Sequence, residues 1–188
     1  MELAVTPLAG LYLLKLDKHM DARGLFQKPY NYELFKRWGL ETDFREGYYS
    51  ISARGVLRGM HFQTPPADHA KLVYVSQGRI LDVALDIRVG SSTYGKYFSR
   101  ELYPGACEAL YLPRGFAHGF QSLEDDSVVN YLQTSCYDGA HDGGVRLDSF
   151  GFTWDVAEPI LSARDKTFPT LAEFMSPFVM SDTGNSVS

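Results

Sequence analysis

Between Tyr48 and Thr134 the chain divides into eight short runs: YYSIS, GVLRGMHF, AKLVYVS, RILDVALDIR, KYFSREL, EALYLP, AHGFQSL and SVVNYLQT. Turn formers separate them at Gln77-Gly78, Gly90-Ser91-Ser92, Pro104-Gly105, Pro113-Arg114-Gly115 and Glu124-Asp125-Asp126. Runs this short, rich in β-branched and aromatic residues, are strands rather than helices. Eight strands at this spacing must bury their faces and edges in one another, which predicts a mostly-β sandwich or barrel of the jelly-roll kind. The length of 188 residues suits one domain with a sizeable core. Aromatic residues make up 14% of the chain, with twelve Tyr and twelve Phe. They suit pleated, half-buried surfaces, and also pockets that stack flat or sugar-like ligands.

Outside this region the pattern is weaker. Residues 3–16 (LAVTPLAGLYLLKL) read as one or two strands broken by Pro7 and Gly10, and residues 21–26 (DARGLF) as a turn entering a strand. Residues 31–39 (NYELFKRWG) form the best helix candidate. Asn31 supplies the cap, Leu34, Phe35 and Trp38 fall at helical spacing, and Gly39 ends it. A second short helix is expected around Leu171–Phe174. Residues 1–175 are read as a single domain and 176–188, ending in SDTGNSVS, as a flexible tail.

The charge balance excludes several classes. A net charge of −5 without clustered Lys and Arg argues against a nucleic-acid surface. Cys107 and Cys136 form neither a disulfide framework nor a zinc spacing and read as reduced thiols. The N-terminus lacks the basic and apolar regions of a signal peptide, and no run approaches the ~18 apolar residues of a membrane span. The expectation is a cytoplasmic protein with no membrane partner. Neither GxGxxG nor GxxxxGKS is present. Of the five histidines (His19, His61, His69, His118 and His141), none forms an H-x-H pair, because Gln63 stands two residues after His61. No metal and no cofactor are expected.

GVLRGMHFQ, residues 55–63, is the least ordinary strand. Burying Arg58 without a partner is costly, yet it stands three residues from His61 among apolar neighbours. Strand alternation sends the two to opposite faces, unless a bulge at Gly59 re-aims one of them. Lys71 opens the next strand and shares a face with Val73 and Val75. In RILDVALDIR, Ile80, Asp82, Ala84 and Asp86 share one face and Leu81, Val83, Leu85 and Ile87 the other. The second is a core face. The acidic face meets water, the ordinary outcome, or lines a polar barrel interior. His118 lies between a turn and a strand, Tyr131 on a strand face with Val129 and Gln133, and Asp165 in a loop. Taken singly, a strand His, a rim Tyr and a loop Asp are ordinary structural residues.

In combination they resemble a known family. DARGLF (21–26), GVLRGMHFQ (55–63), KLVYVSQGRILDVALDIR (71–88), STYGKY (92–97), YLPRGFAHGF (111–120), VVNYLQT (128–134) and ILSARDK (160–166) occur in the order found in the dTDP-4-dehydrorhamnose 3,5-epimerase family of cupin-like sugar-nucleotide epimerases. The resemblance implies a cofactor-independent isomerase. It would invert C3, C5 or both on a nucleotide-linked 4-keto-6-deoxyhexose in deoxysugar biosynthesis, through an enolate. His61 matches the base, Asp165 its carboxylate partner, Tyr131 the acid, and Lys71 and Arg58 the cations near the enolate oxygen. Asp82 and His118 match residues lining the cavity, Arg23 a phosphate contact, and Phe26 and Tyr137 aromatic positions near the ligand. The resemblance also implies a homodimer whose N-terminal strands cross to the partner. Lys28, Glu46, Gly47, Tyr48, Tyr74 and Leu132 depart from the family's usual residues. The nucleotide therefore stays open among thymidine, cytidine and guanosine. The alternatives are a single-centre epimerase on a CDP or other nucleotide sugar, and a non-catalytic sugar-nucleotide-binding jelly roll.

Overall fold

Antiparallel pairing of short strands builds the framework of the molecule. The computed structural model describes residues 1–180, so the SDTGNSVS end of the expected tail lies outside the described residues. The strands are β1 (Glu2–Val5), β2 (Tyr12–Lys15), β3 (His19–Asp21), β4 (Gly24–Phe26), β5 (Glu46–Ser52), β6 (Leu57–Gln63), β7 (Lys71–Gln77), β8 (Ile80–Asp86), β9 (Tyr97–Leu102), β10 (Glu108–Leu112), β11 (Phe116–Ser122), β12 (Ser127–Gln133) and β13 (Asp142–Gly144). Among the described residues an α-helix, α1 (Tyr32–Arg37), lies between β4 and β5, and a single 3-10 turn, Pro104–Ala106, lies between β9 and β10. Each of the eight expected runs is a strand, β5 to β12. The Asn31 side chain accepts the Leu34 N–H, capping α1.

Two sheets form a jelly roll. One runs β1-β2-β10-β7-β12-β5, the other β13-β6-β11-β8-β9, and β3 and β4 make a separate hairpin. Between the sheets, Leu13, Val73, Val75, Leu110 and Val129 meet Ile80, Ala84, Phe116 and Phe120. The outer face of the six-stranded sheet packs Tyr12, Leu14, Leu72 and Tyr111 under Phe35 and Leu40. The outer face of the five-stranded sheet buries Val83, Leu85 and Ile87 beneath Val145, Leu147, Phe150 and Phe178. Both faces of β8 are therefore covered, which corrects the expectation that its acidic face meets water. Asp82 and Asp86 are fully buried. Asp86 is tolerated because Arg88, Ser91 and Thr93 all donate to its carboxylate, fixing the following loop.

The expected second helix is also corrected. Thr170 and Glu173 cap each other, but they close only one turn. Pro177 disfavours helix in the residue before it, and the chain extends so that Phe178 reaches the outer cluster. The packed chain thus continues past residue 175. Among the described residues no helix is long and apolar enough to cross a membrane.

Candidate active site

The conflict between Arg58 and His61 is resolved by a bulge. Opposite β6, His118 pairs with His61 and Phe120 with Arg58, so two residues of β6, Gly59 and Met60, face one of β11, Gly119. The extra residue shifts the alternation. Leu57, Met60 and Phe62 all join the outer cluster, while Arg58 and His61 share the opposite face, Arg58 exposed and His61 half-buried. Gly59 makes this possible. Its φ of +144° disfavours any side chain, and a Cβ there would lie 2.5 Å from the Gly119 Cα. A Cβ on Gly119 would in turn lie 2.7 Å from the Met60 sulfur.

Two histidine–carboxylate pairs stand side by side on this wall. His61 Nε2 is 2.8 Å from Asp165, and its cross-strand neighbour His118 has Nε2 2.8 Å from Asp82. Burial pushes Asp165 up, but the His61 contact, the Ser162 hydroxyl and the Gly59 amide outweigh it and hold the carboxylate below its ordinary range. Burial lowers the His61 pKa despite the carboxylate, so the imidazole is neutral near pH 7. The ionised carboxylate takes the Nε2–H, which leaves Nδ1 as the free basic nitrogen. His61 is 28% exposed at its side chain and borders a cavity of about 310 Å³.

Lys71 lines the same cavity and donates to the His61 carbonyl at 3.4 Å. Burial lowers its pKa to about 8, with Asp142 and Asp82 opposing the shift, so most of it is charged at neutral pH. Tyr131 projects from β12 in the facing sheet, behind the cavity wall, with its ring edge-on to His118 at 6.0 Å. Burial, reinforced by Tyr48 and Asp82, raises its pKa well above that of free tyrosine, so the phenol holds its proton. Asp165 sits 104 residues from His61 in the chain and reaches it only through tertiary packing.

The remaining predicted residues are placed unequally. Arg58 donates to the Ser52 hydroxyl and the Ile51 carbonyl, bridging the two sheets, and makes no ion pair among the described residues. Tyr137 borders the cavity. Arg58, Asp82 and His118, expected along it, do not line it, and neither do Arg23 and Phe26. The last two lie on the exposed β3–β4 hairpin, where Arg23 pairs with Asp21 and Phe26 is 61% exposed. Of the departures from the family's residues, Tyr74 and Leu132 pack on the outer face with the cluster under α1, away from the cavity.

Several cavity residues escape a reading by type alone. Gln63 links β6 to the 135–138 loop, donating to Ala67 and Cys136 carbonyls and accepting from the Asp138 N–H. His69 is held beside Ser135, and burial drops its pKa to about 3. Glu46, Tyr48, Phe62, Gln133, Asp142 and Arg164 complete the lining. Strand parity was the available signal for Gln133, which faces Lys71 across the ladder. A larger groove of about 960 Å³ lies elsewhere, beside Leu8, Arg114 and Phe178. Its charged side chains are tied in pairs, Arg114 with Glu41 and Asp68 and Arg88 with Asp86, so the proton-transfer chemistry belongs to the smaller cavity.

A cupin-like jelly roll that holds a neutral imidazole at a cavity and a buried, protonated phenol on the facing sheet has the groups of an isomerase that works by moving protons. Comparison with known proteins agrees. Residues 5–173 match the profile of the dTDP-4-dehydrorhamnose 3,5-epimerase family, and the chain belongs to that family. A dTDP-4-dehydrorhamnose 3,5-epimerase of Sinorhizobium fredii is 37% identical over 91% of this chain and 90% of its own. A dTDP-4-dehydrorhamnose 3-epimerase of Streptomyces niveus is 35% identical over 92% and 85%. The solved structure of a Legionella pneumophila dTDP-6-deoxy-D-glucose-3,5-epimerase with dTDP-4-keto-L-rhamnose superposes with a TM-score of 0.90 at 27% identity, covering 96% of this chain and 99% of that one.

Proposed function

We propose that the protein epimerises a nucleotide-linked 4-keto-6-deoxyhexose at C3, C5 or both, with dTDP as the nucleotide. The observation that carries this reading is a neutral imidazole, His61, on one sheet and a protonated phenol, Tyr131, on the facing sheet, since inversion needs proton removal on one face of a sugar and delivery on the other. The 4-ketone acidifies the neighbouring C–H bonds. His61 Nδ1 takes the proton, and the bond's electrons move onto the ketone oxygen. The charged Lys71 stabilises the resulting enolate, and Arg58 on the facing sheet adds positive charge at longer range. Asp165 stabilises the imidazolium that forms. Tyr131 returns a proton from the opposite side, which completes inversion.

The cavity is at the lower end of the ~300–1,000 Å³ of small-molecule sites and has room for the hexose. The nucleotide then extends out of the mouth. We place the protein in the cytoplasm as a homodimer in which the β3–β4 hairpin carries Arg23 and Phe26 to the partner's nucleotide. This is supported by the hairpin's exposed Met20 and Phe26, and by the open edge strand β5, which exposes Tyr49 and Ile51. A single-centre reaction is the second reading, favoured by the likeness to the Streptomyces niveus 3-epimerase.

The test follows ring protons by NMR in heavy water, with dTDP-4-keto-6-deoxyglucose and separately its CDP analogue. Deuterium at C3 and C5 is the expected result. Deuterium at one carbon selects the single-centre reading, and no exchange with either substrate overturns the proposal.

A further inference from the structure

Tyr48 departs from the family's usual residue and occupies a telling place. It lies directly across the β5–β12 ladder from Tyr131, with the two rings stacked at 4.6 Å and 15°. Tyr48 borders the cavity, whereas Tyr131 behind it is only 7% exposed. The Gln133 amide donates to the Tyr48 hydroxyl and fixes the outer ring from the neighbouring position on the same face. The acid is thus clamped between Tyr48 on one side and the edge contact with His118 on the other.

We infer that Tyr48 is a positioning residue whose stacked ring fixes Tyr131 and so sets how often an enolate is inverted rather than returned. This deepens the proposed function and rests on it. Once His61 has removed a proton, the enolate has two fates. His61 gives a proton back to the same face, which yields solvent exchange without inversion. Tyr131 delivers one to the other face, which yields inversion. Only the second depends on how often the phenol is correctly aimed. An aromatic stack changes such a population by roughly two- to tenfold. The Tyr48 hydroxyl does not enter this argument, because the stack holds the ring whether or not Gln133 binds it.

The experiment measures, for wild type, Tyr48→Ala, Tyr48→Leu and Tyr48→Phe, deuterium incorporated per inversion with the dTDP-4-keto sugar. The expected result is that Tyr48→Ala retains total exchange within about threefold but raises exchange per inversion by roughly two- to tenfold. Tyr48→Leu, which keeps bulk without a flat face, shifts the same way, and Tyr48→Phe stays at the wild-type ratio. A merely structural role would lower both events together and leave the ratio unmoved. An unchanged ratio in Tyr48→Ala and Tyr48→Leu overturns the inference, as does a Tyr48→Phe shift as large as that of Tyr48→Ala. A wild type that exchanges neither carbon removes the functional reading itself, and this inference with it.

Discussion

Replacing Gly59 with alanine tests whether the bulge on β6 creates the site. The backbone at Gly59 has a φ of +144°, which a side chain rarely adopts and which costs on the order of 1–3 kcal/mol. The new methyl would also lie 2.5 Å from the Gly119 Cα and 3.1 Å from the His118 carbonyl, both backbone atoms that have no rotamer to yield. Forcing extra atoms into such a contact costs about 1–3 kcal/mol more. The combined loss of roughly 2–6 kcal/mol is a large share of the ~5–15 kcal/mol that holds a domain together. For a chain of this size that corresponds to a drop of about 5–20 °C in melting temperature. The matched control is Gly39→Ala. Gly39 also has positive φ, at +70°, but nothing lies within 4 Å of its would-be Cβ, so only about 1 kcal/mol is expected. Thermal melts followed by circular dichroism measure both variants, and proton exchange on the keto sugar measures the site. If Gly59→Ala relaxes by straightening β6, Arg58 and His61 return to opposite faces and exchange collapses even in the folded protein. A Gly59→Ala protein that melts with Gly39→Ala and turns over like wild type would refute the account of the bulge.

Other substitutions separate the proposed roles. His61→Ala should lose on the order of 10²–10⁴-fold in ring-proton exchange while still binding the nucleotide sugar in a titration; full turnover would remove His61 from the mechanism. Tyr131→Phe should keep exchange yet lose net inversion, and a parallel fall of both would show that Tyr131 is not the second acid. The pH profile of kcat/KM should be bell-shaped. Activity is lost on acidification as His61, whose pKa lies below 6.5, takes up a proton, and lost on alkalinisation as Lys71 gives up its proton near pH 8. Asp165→Asn removes the anion that orients and favours the imidazolium, so kcat should fall by up to about 10⁴-fold. The acid limb should also move to lower pH, and a limb that moved up would contradict the pairing.

The local code of this chain fixed its strands. Short alternating runs punctuated by glycine and proline became β5 to β12, and Asn31 and Gly39 bounded α1, because turn chemistry and capping act over a few residues. The chemical types needed for proton transfer were visible too, since the base, acid and cations stand in motif order. Period-two alternation, however, misassigned the face of Arg58, because the bulge depends on how closely Gly59 and Gly119 approach across two strands. The direction of the acidic face of β8 depended on a second covering layer, built from residues 145–178, that the strand itself does not encode. The single turn at Thr170 ended where Phe178 found a better place in that layer. What only the tertiary structure decided is the pairing of His61 with Asp165, 104 residues away, and the stacking of Tyr48 on Tyr131. Both are contacts between side chains whose identity the sequence states, but whose distance is set by two sheets packing face to face.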